Sequence, residues 1–211
     1  MTPLRRWMEA VHIVAAGLWA GVVIATGAAA AIIFPTVRGL EPTVGTYPNY
    51  SGEHWRLLAG QVAARLFAVG DIVQFICAML TGVSLAIIAL QRDAWASRTI
   101  ILARLTVYAA VLMLVAYAVL VLGHRMNTNL AEYWAAAKIG DNQTAASARQ
   151  AFQKDHGPAS AVMGSTAAGV FVLTVLGVVG ATSRPAAASA SPPLQAPPRL
   201  ETPDLARRAS R

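Results

Sequence analysis

Four histidines, His12, His54, His124 and His156, and a few other titratable side chains interrupt the long apolar stretches of this chain. Neutral imidazole suits zinc, copper and haem iron, so two histidines held at one level could ligate a metal or hold a haem axially. His124 and His156 meet that condition if the chain turns at Gly140–Asp141. One lies sixteen residues before Gly140 and the other fifteen after Asp141, so on two antiparallel helices of equal rise they reach the same height. The competing reading is interfacial structure, because His124 precedes Arg125 and His156 follows Asp155. Met126 and Met163 flank this level without forming a repeat, and His54 joins it only if its own helix bends. Copper, zinc and haem are the candidate cofactors, and the pattern singles out none of them.

Ionisable side chains inside apolar runs are costly, and each is a candidate for function. Asp71, Arg65, Arg104 and His12 stand in such runs. Arg104 follows Arg98 by six residues, which predicts a snorkelling side chain that reaches the nearby boundary. Arg65, near the opposite boundary, has the same option. The Asp71 side chain is too short to snorkel. It must face a polar cavity, as in an ion or proton path, or be protonated or hydrogen-bonded to a neighbour such as Gln74. His12 heads the pattern His12, Trp19, Gly21 and is expected to hydrogen-bond a partner helix.

The elements that must position these residues follow from composition. The 211 residues are 56% hydrophobic and only 13% charged, about half the charge of an ordinary soluble domain, which carries roughly 25%. Mean hydropathy is +0.51. A soluble globule is excluded, and an integral membrane protein is expected, with the lipid bilayer as its first partner. The formal net charge of +7 does not indicate nucleic acid, because no soluble domain exists to present a basic face. Cys77, the single cysteine, excludes a disulfide framework and Cys-rich metal sites. Phosphate-binding glycine loops, zinc-protease motifs and nucleophile elbows are absent, so no enzyme is expected. There is also no inverted repeat of broken helices of the kind that marks many transporters.

About 20 apolar residues cross the roughly 30 Å hydrocarbon core as a helix. Four stretches qualify: Trp7–Phe34, ended by Pro35, then about 65–90, 99–123 and 158–182. The first continues past its small-residue stretch Ala28–Ala31 to full spanning length, so it reads as a retained helix rather than a cleaved signal. Arg5, Arg6, Arg92, Arg98 and Arg184 hug one side, which places both termini in the cytoplasm. The preference for Arg over Lys with abundant Ala reads as bacterial, so the membrane expected is a bacterial inner membrane. Beyond the third span, Leu130, Ala131, Trp134 and Ala135 make a helical stripe, Ile139 to Asn142 a turn, and Asp141 or Asn142 an N-cap. Helices 3 and 4 therefore extend into an extracytoplasmic helical hairpin over about 124–157. Ser51 is the expected N-cap of a second helix that starts outside the bilayer. The Pro/Ala/Arg-rich segment 183–211 reads as a disordered cytoplasmic tail. Gly17 and Gly21, with Gly164, Gly169, Gly177 and Gly180, let helices approach closely, in tight packing or in a homodimer.

These residues carry a resemblance. His12 through Trp19-Ala20-Gly21 to Phe34-Pro35, with Arg125-Met126-Asn127 and with Ala151-Phe152 before His156-Gly157, resembles the transmembrane-protein-205-like family of small four-helix membrane proteins. Apolar helices carrying His and Trp-x-Gly are also similar to the copper-resistance D family. The resemblance covers most of residues 7–182 on loose motifs. It implies an all-α integral membrane four-helix bundle of undefined biochemical role and supplies no active-site residues. The functional expectation is a non-enzymatic membrane protein whose hairpin contacts a partner or serves membrane or metal stress. The alternatives are a metal- or haem-binding protein using His124 and His156, in copper handling or electron transfer, and a small proton-coupled permease or channel using Asp71.

Overall fold

A computed structural model of the chain describes residues 2–91 and 98–182. The expected tail 183–211, including Arg184, and Arg92 in the connection between the second and third spans lie outside the described residues. Four helices make up the rest: α1 Pro3–Gly39, α2 His54–Leu90, α3 Arg98–Ile139 and α4 Asn142–Thr182. They contain 37, 37, 42 and 41 residues, so at a 1.5 Å rise each is roughly 55–63 Å long, about twice the hydrocarbon thickness. All four are long and apolar enough to cross a membrane, and this is a multi-pass helical membrane protein.

The inside–outside rule of a water-soluble protein is inverted here. Large apolar side chains such as Phe75, Leu120 and Phe171 cover the outside, while Arg5, Glu9, His12, Thr81, Ser84 and Arg104 are buried. Lipid tails are as apolar as leucine, so nothing drives Phe75 inward, whereas a polar group gains by turning toward other polar groups. α1 packs against both α2 and α4, and α4 packs against α3. Where they meet, small residues surround one large ring: Ala16, Trp19, Ala20 and Val23 of α1 against Cys77, Ala78, Val111 and Val170. Of the fourth-span glycines, Gly169 does the packing expected of it within the chain, since a Cβ there would lie 2.6 Å from Val111, whereas Gly164 has nothing within 4 Å of that position. Gly17 and Gly21 have nothing within 4 Å of the same position.

Several boundaries differ from the sequence reading. α1 does not stop at Pro35 but runs on to Gly39. A proline four residues from a helix end forfeits one backbone bond, and a carbonyl freed near the helix end can turn to water. α4 likewise passes through Pro158. α2 starts at His54 behind Glu53, with no side-chain cap. The expected cap, Ser51, instead donates its backbone N–H to Asn142 Oδ1 at 2.9 Å. α3 is not uniform: Ala118–Gly123 is a π-helical turn, which advances the helix face and re-aims everything beyond it.

The hairpin tip matches its sequence signals. Gly140 ends α3 with φ 79°, and the Asp141 N–H bonds back to the Ala136 carbonyl at 3.0 Å, the geometry for which glycine is selected. Asp141 Oδ1 then caps α4 through the Thr144 N–H at 3.0 Å, and these hydrogen bonds hold the Asp141 carboxyl below the usual carboxylate range. A Cβ on Gly140 would also sit 2.7 Å from Asn49. Gly140→Ala should therefore cost about 1–2 kcal/mol from backbone conformation alone, plus the displacement of Asn49. Hydrogen exchange should show faster exchange across residues 40–53; unchanged exchange there would mean the tip does not hold that loop.

Candidate functional site

The residues with chemical potential fall into three places. The first is a polar cluster inside the bundle, at the end where α1 begins and α4 finishes. Arg5, Glu9 and His12 follow one another at spacings of four and three, which puts them on one face of α1. Across from them, Arg104 of α3 points into the bundle rather than toward the boundary and is 1% exposed. This corrects the snorkelling expectation. The guanidinium Nη1 donates to Glu9 Oε2 at 2.7 Å, Nε to the Leu176 carbonyl at 3.0 Å and Nη2 to the Gly177 carbonyl at 2.8 Å.

That geometry needs small residues on α4. A Cβ on Gly180 would collide with the Arg104 guanidinium, and one on Gly177 would lie 3.2 Å from the His12 ring. His12 is fully buried and its Nδ1 lies 3.4 Å from the Thr81 carbonyl. A carbonyl only accepts, so Nδ1 carries the hydrogen in this contact. Ser84 Oγ donates to the same carbonyl at 2.9 Å. All four helices thus contribute to one buried cluster. Arg5 Nη2 completes it 3.6 Å from Glu9 Oε1.

The second place lies farther along α1 and α2. Trp19 Nε1 donates to Gln74 Oε1 at 3.3 Å, and Gln74 Nε2 to Asp71 Oδ1 at 3.4 Å. The structure therefore brings Asp71 and Gln74 together, one of the arrangements their spacing allows. Asp71 is exposed on the outer face of α2, beside Ile72 at 62% and Phe75 at 67% exposure. Arg65 is exposed one and a half turns earlier. Between this level and the charged cluster lies the apolar packing around Trp19.

The third place is a cap built from the loop 40–53, the start of α2 and the hairpin. It has its own hydrophobic core, in which Tyr47, Leu57 and Tyr133 pack with Ala136, Ala137, Ala145 and Ala148. His54 ties the loop down, accepting from the Val44 N–H at 3.0 Å through Nδ1, while Nε2 lies 3.1 Å from the Tyr50 carbonyl. The Tyr50 and Tyr133 hydroxyls meet at 2.9 Å, and burial together with this contact pushes the Tyr133 phenol up. Glu53 pairs with Arg56, which holds its carboxyl below the usual range. Arg38 and Arg56 sit over the Trp55 ring at 5.6 and 4.6 Å.

His124 and His156 are on neighbouring helices at one height, since Arg125 and Asp155 beside them form an ion pair. Both histidines are exposed. A shallow groove of about 400 Å³ is lined by His124, Arg125, Thr128, Asn129, Lys154 and Asp155. His156 does not line it and stands against Phe152 with ring centroids 5.9 Å apart. Among the described residues, no three His, Cys, Asp or Glu side chains converge as a metal site.

No family model, curated protein or solved structure matches this chain.

Sequence reasoning missed Glu9 and the inward role of Arg5. The available signal was the Arg5, Glu9, His12, Ala16, Trp19 stripe, which repeats at helical spacing. Removing one partner of a buried ion pair leaves the other uncompensated, at a cost of about 3–5 kcal/mol, whereas a well-packed apolar pair is close to neutral. Glu9→Gln and Arg104→Gln should each lower stability by about that amount in denaturant titrations of detergent-solubilised protein. The double variant Glu9→Gln/Arg104→Gln should lose clearly less than the sum of the two. Strictly additive losses would mean the pair is not the link between α1 and α3.

Proposed function

We propose that the chain is a non-enzymatic multi-pass protein of the bacterial inner membrane that works by presenting its cap to an extracytoplasmic protein partner. Both termini lie in the cytoplasm in this reading, as the arginines at the ends of the spans favour. The resemblance to the transmembrane-protein-205-like family belongs to the same reading.

The observation that carries it is the second hydrophobic core. A connection that only joined helices would not need Tyr47, Leu57 and Tyr133 buried together, nor a loop fastened by His54 and Asn142. A surface ordered before contact binds with less entropy to lose, which is what recognition rewards. The groove beside His124 carries Arg125 and Lys154 against Asp155, a net positive lining that suits an acidic segment of the partner. A permease path through the bundle has less support, because Asp71 faces outward and apolar packing separates its level from the charged cluster.

A photo-activatable amino acid at Lys154 in intact cells should yield a discrete protein adduct, while one at lipid-facing Leu120 should not. Gln143→Cys at the exposed tip should react with a membrane-impermeant maleimide from outside, over a low background because Cys77 is 5% exposed. Labelling only from the cytoplasm, or no adduct at Lys154, would overturn the reading.

A further inference from the structure

The cluster at the α1 start has an unbalanced charge. Among the described residues, two guanidiniums, of Arg5 and Arg104, share one carboxylate, Glu9, and these residues are 2%, 1% and 3% exposed. Arginine does not deprotonate in proteins, so the surplus positive charge cannot be removed by losing a proton. Arg104 is fully used, with a donor on Glu9 and two on α4 carbonyls. Arg5 is not. It turns Nη2 to Glu9 and leaves Nε and Nη1 buried without a partner among the described residues.

The unsatisfied groups are concentrated here. Six buried side-chain polar atoms among the described residues lack a hydrogen-bond partner. Five of them are in this cluster: Arg5 Nε and Nη1, Glu9 Oε1, His12 Nε2 and Thr81 Oγ1. Native proteins seldom leave such groups unpaired. Water would satisfy the hydrogen bonds but not the charge, and an uncompensated buried charge costs several kcal/mol. An anion held by Arg5 would balance the charge and take the two Arg5 donors, while Glu9 Oε1 and His12 Nε2, as acceptors, are left to water.

We propose that Arg5, backed by the Glu9–Arg104 pair, forms a binding site for a phosphate-class oxyanion at this end of the bundle. The oxyanion takes guanidinium hydrogens of Arg5 that Glu9 leaves free. Such charge-assisted contacts are how arginine recognises phosphate. Arg5 stands two residues before the apolar run that begins at Trp7, and a free phosphate and a lipid headgroup share this chemistry. The proposal does not depend on the cap having a partner.

The test uses the full chain, delipidated in mild detergent, with the thermal midpoint and native mass spectrometry as readouts. Wild type is exposed to inorganic phosphate, then to phosphatidylglycerol and to phosphatidylcholine in separate samples. A midpoint that rises with inorganic phosphate indicates a free oxyanion. Retention of phosphatidylglycerol but not phosphatidylcholine, with no response to inorganic phosphate, indicates a headgroup. In either case Arg5→Gln should weaken binding about tenfold or more, the scale of one hydrogen bond to a charged group. Arg5→Lys, which keeps the charge, should fall between them and guards against a variant that merely misfolds. Arg98→Gln, an exposed cation near the same end, should bind as wild type does. The proposal is overturned if neither anion binds, or if Arg98→Gln weakens binding as much as Arg5→Gln.

Discussion

The arginine at position 104 organises this protein. A guanidinium buried to 1% exposure in a helix long enough to span a bilayer must find all its partners within the protein, because lipid offers none. It finds them on two other helices at once, a carboxylate on α1 and two carbonyls on α4. Helix rotation and height are therefore coupled. If α1 turned by one residue, Glu9 would leave Arg104; if α4 slid by a turn, Gly180 would no longer clear the guanidinium. In a bundle with an apolar exterior, where hydrophobicity cannot decide which face turns inward, this cluster supplies the specificity.

The other end is organised by different physics. There the helices stand clear of the apolar stretches and pack as a soluble protein does, with tyrosines and alanines buried and charges outside. The two ends meet through the same long helices, and the π turn at Ala118–Gly123 lies between them. The π turn separates the part of α3 that buries Arg104 and Val111 in the bundle from the part that buries Tyr133 and Ala136 in the cap.

The spans and the hairpin tip were legible in the sequence because composition and turn chemistry act locally. Twenty apolar residues require a helix, and Gly140 followed by Asp141 specifies a stop and a start. Rotation was not legible, since the exterior is as apolar as the core. Arg104 shows the consequence. Its distance from Arg98 favours snorkelling, and only the placement of Gly177 and Gly180 against it reveals room for an inward side chain. Glu9 was hidden for the opposite reason: it lies close enough to the end of its span to pass for a boundary residue. Asp71 and Gln74 were read as neighbours from their spacing of three, yet the face they occupy is set by tertiary packing alone.

The central claim is that the polar face of α1 is turned inward and its apolar face toward lipid. Spin labels placed singly along α1 in lipid vesicles, with Cys77 replaced by serine, test it through their accessibility to dissolved oxygen. Accessibility should oscillate with the helical period, high at Val14, Leu18 and Ile24 and low at Glu9, His12, Ala16 and Ala20. A flat profile, or one with maxima at His12 and Ala16, would contradict the account.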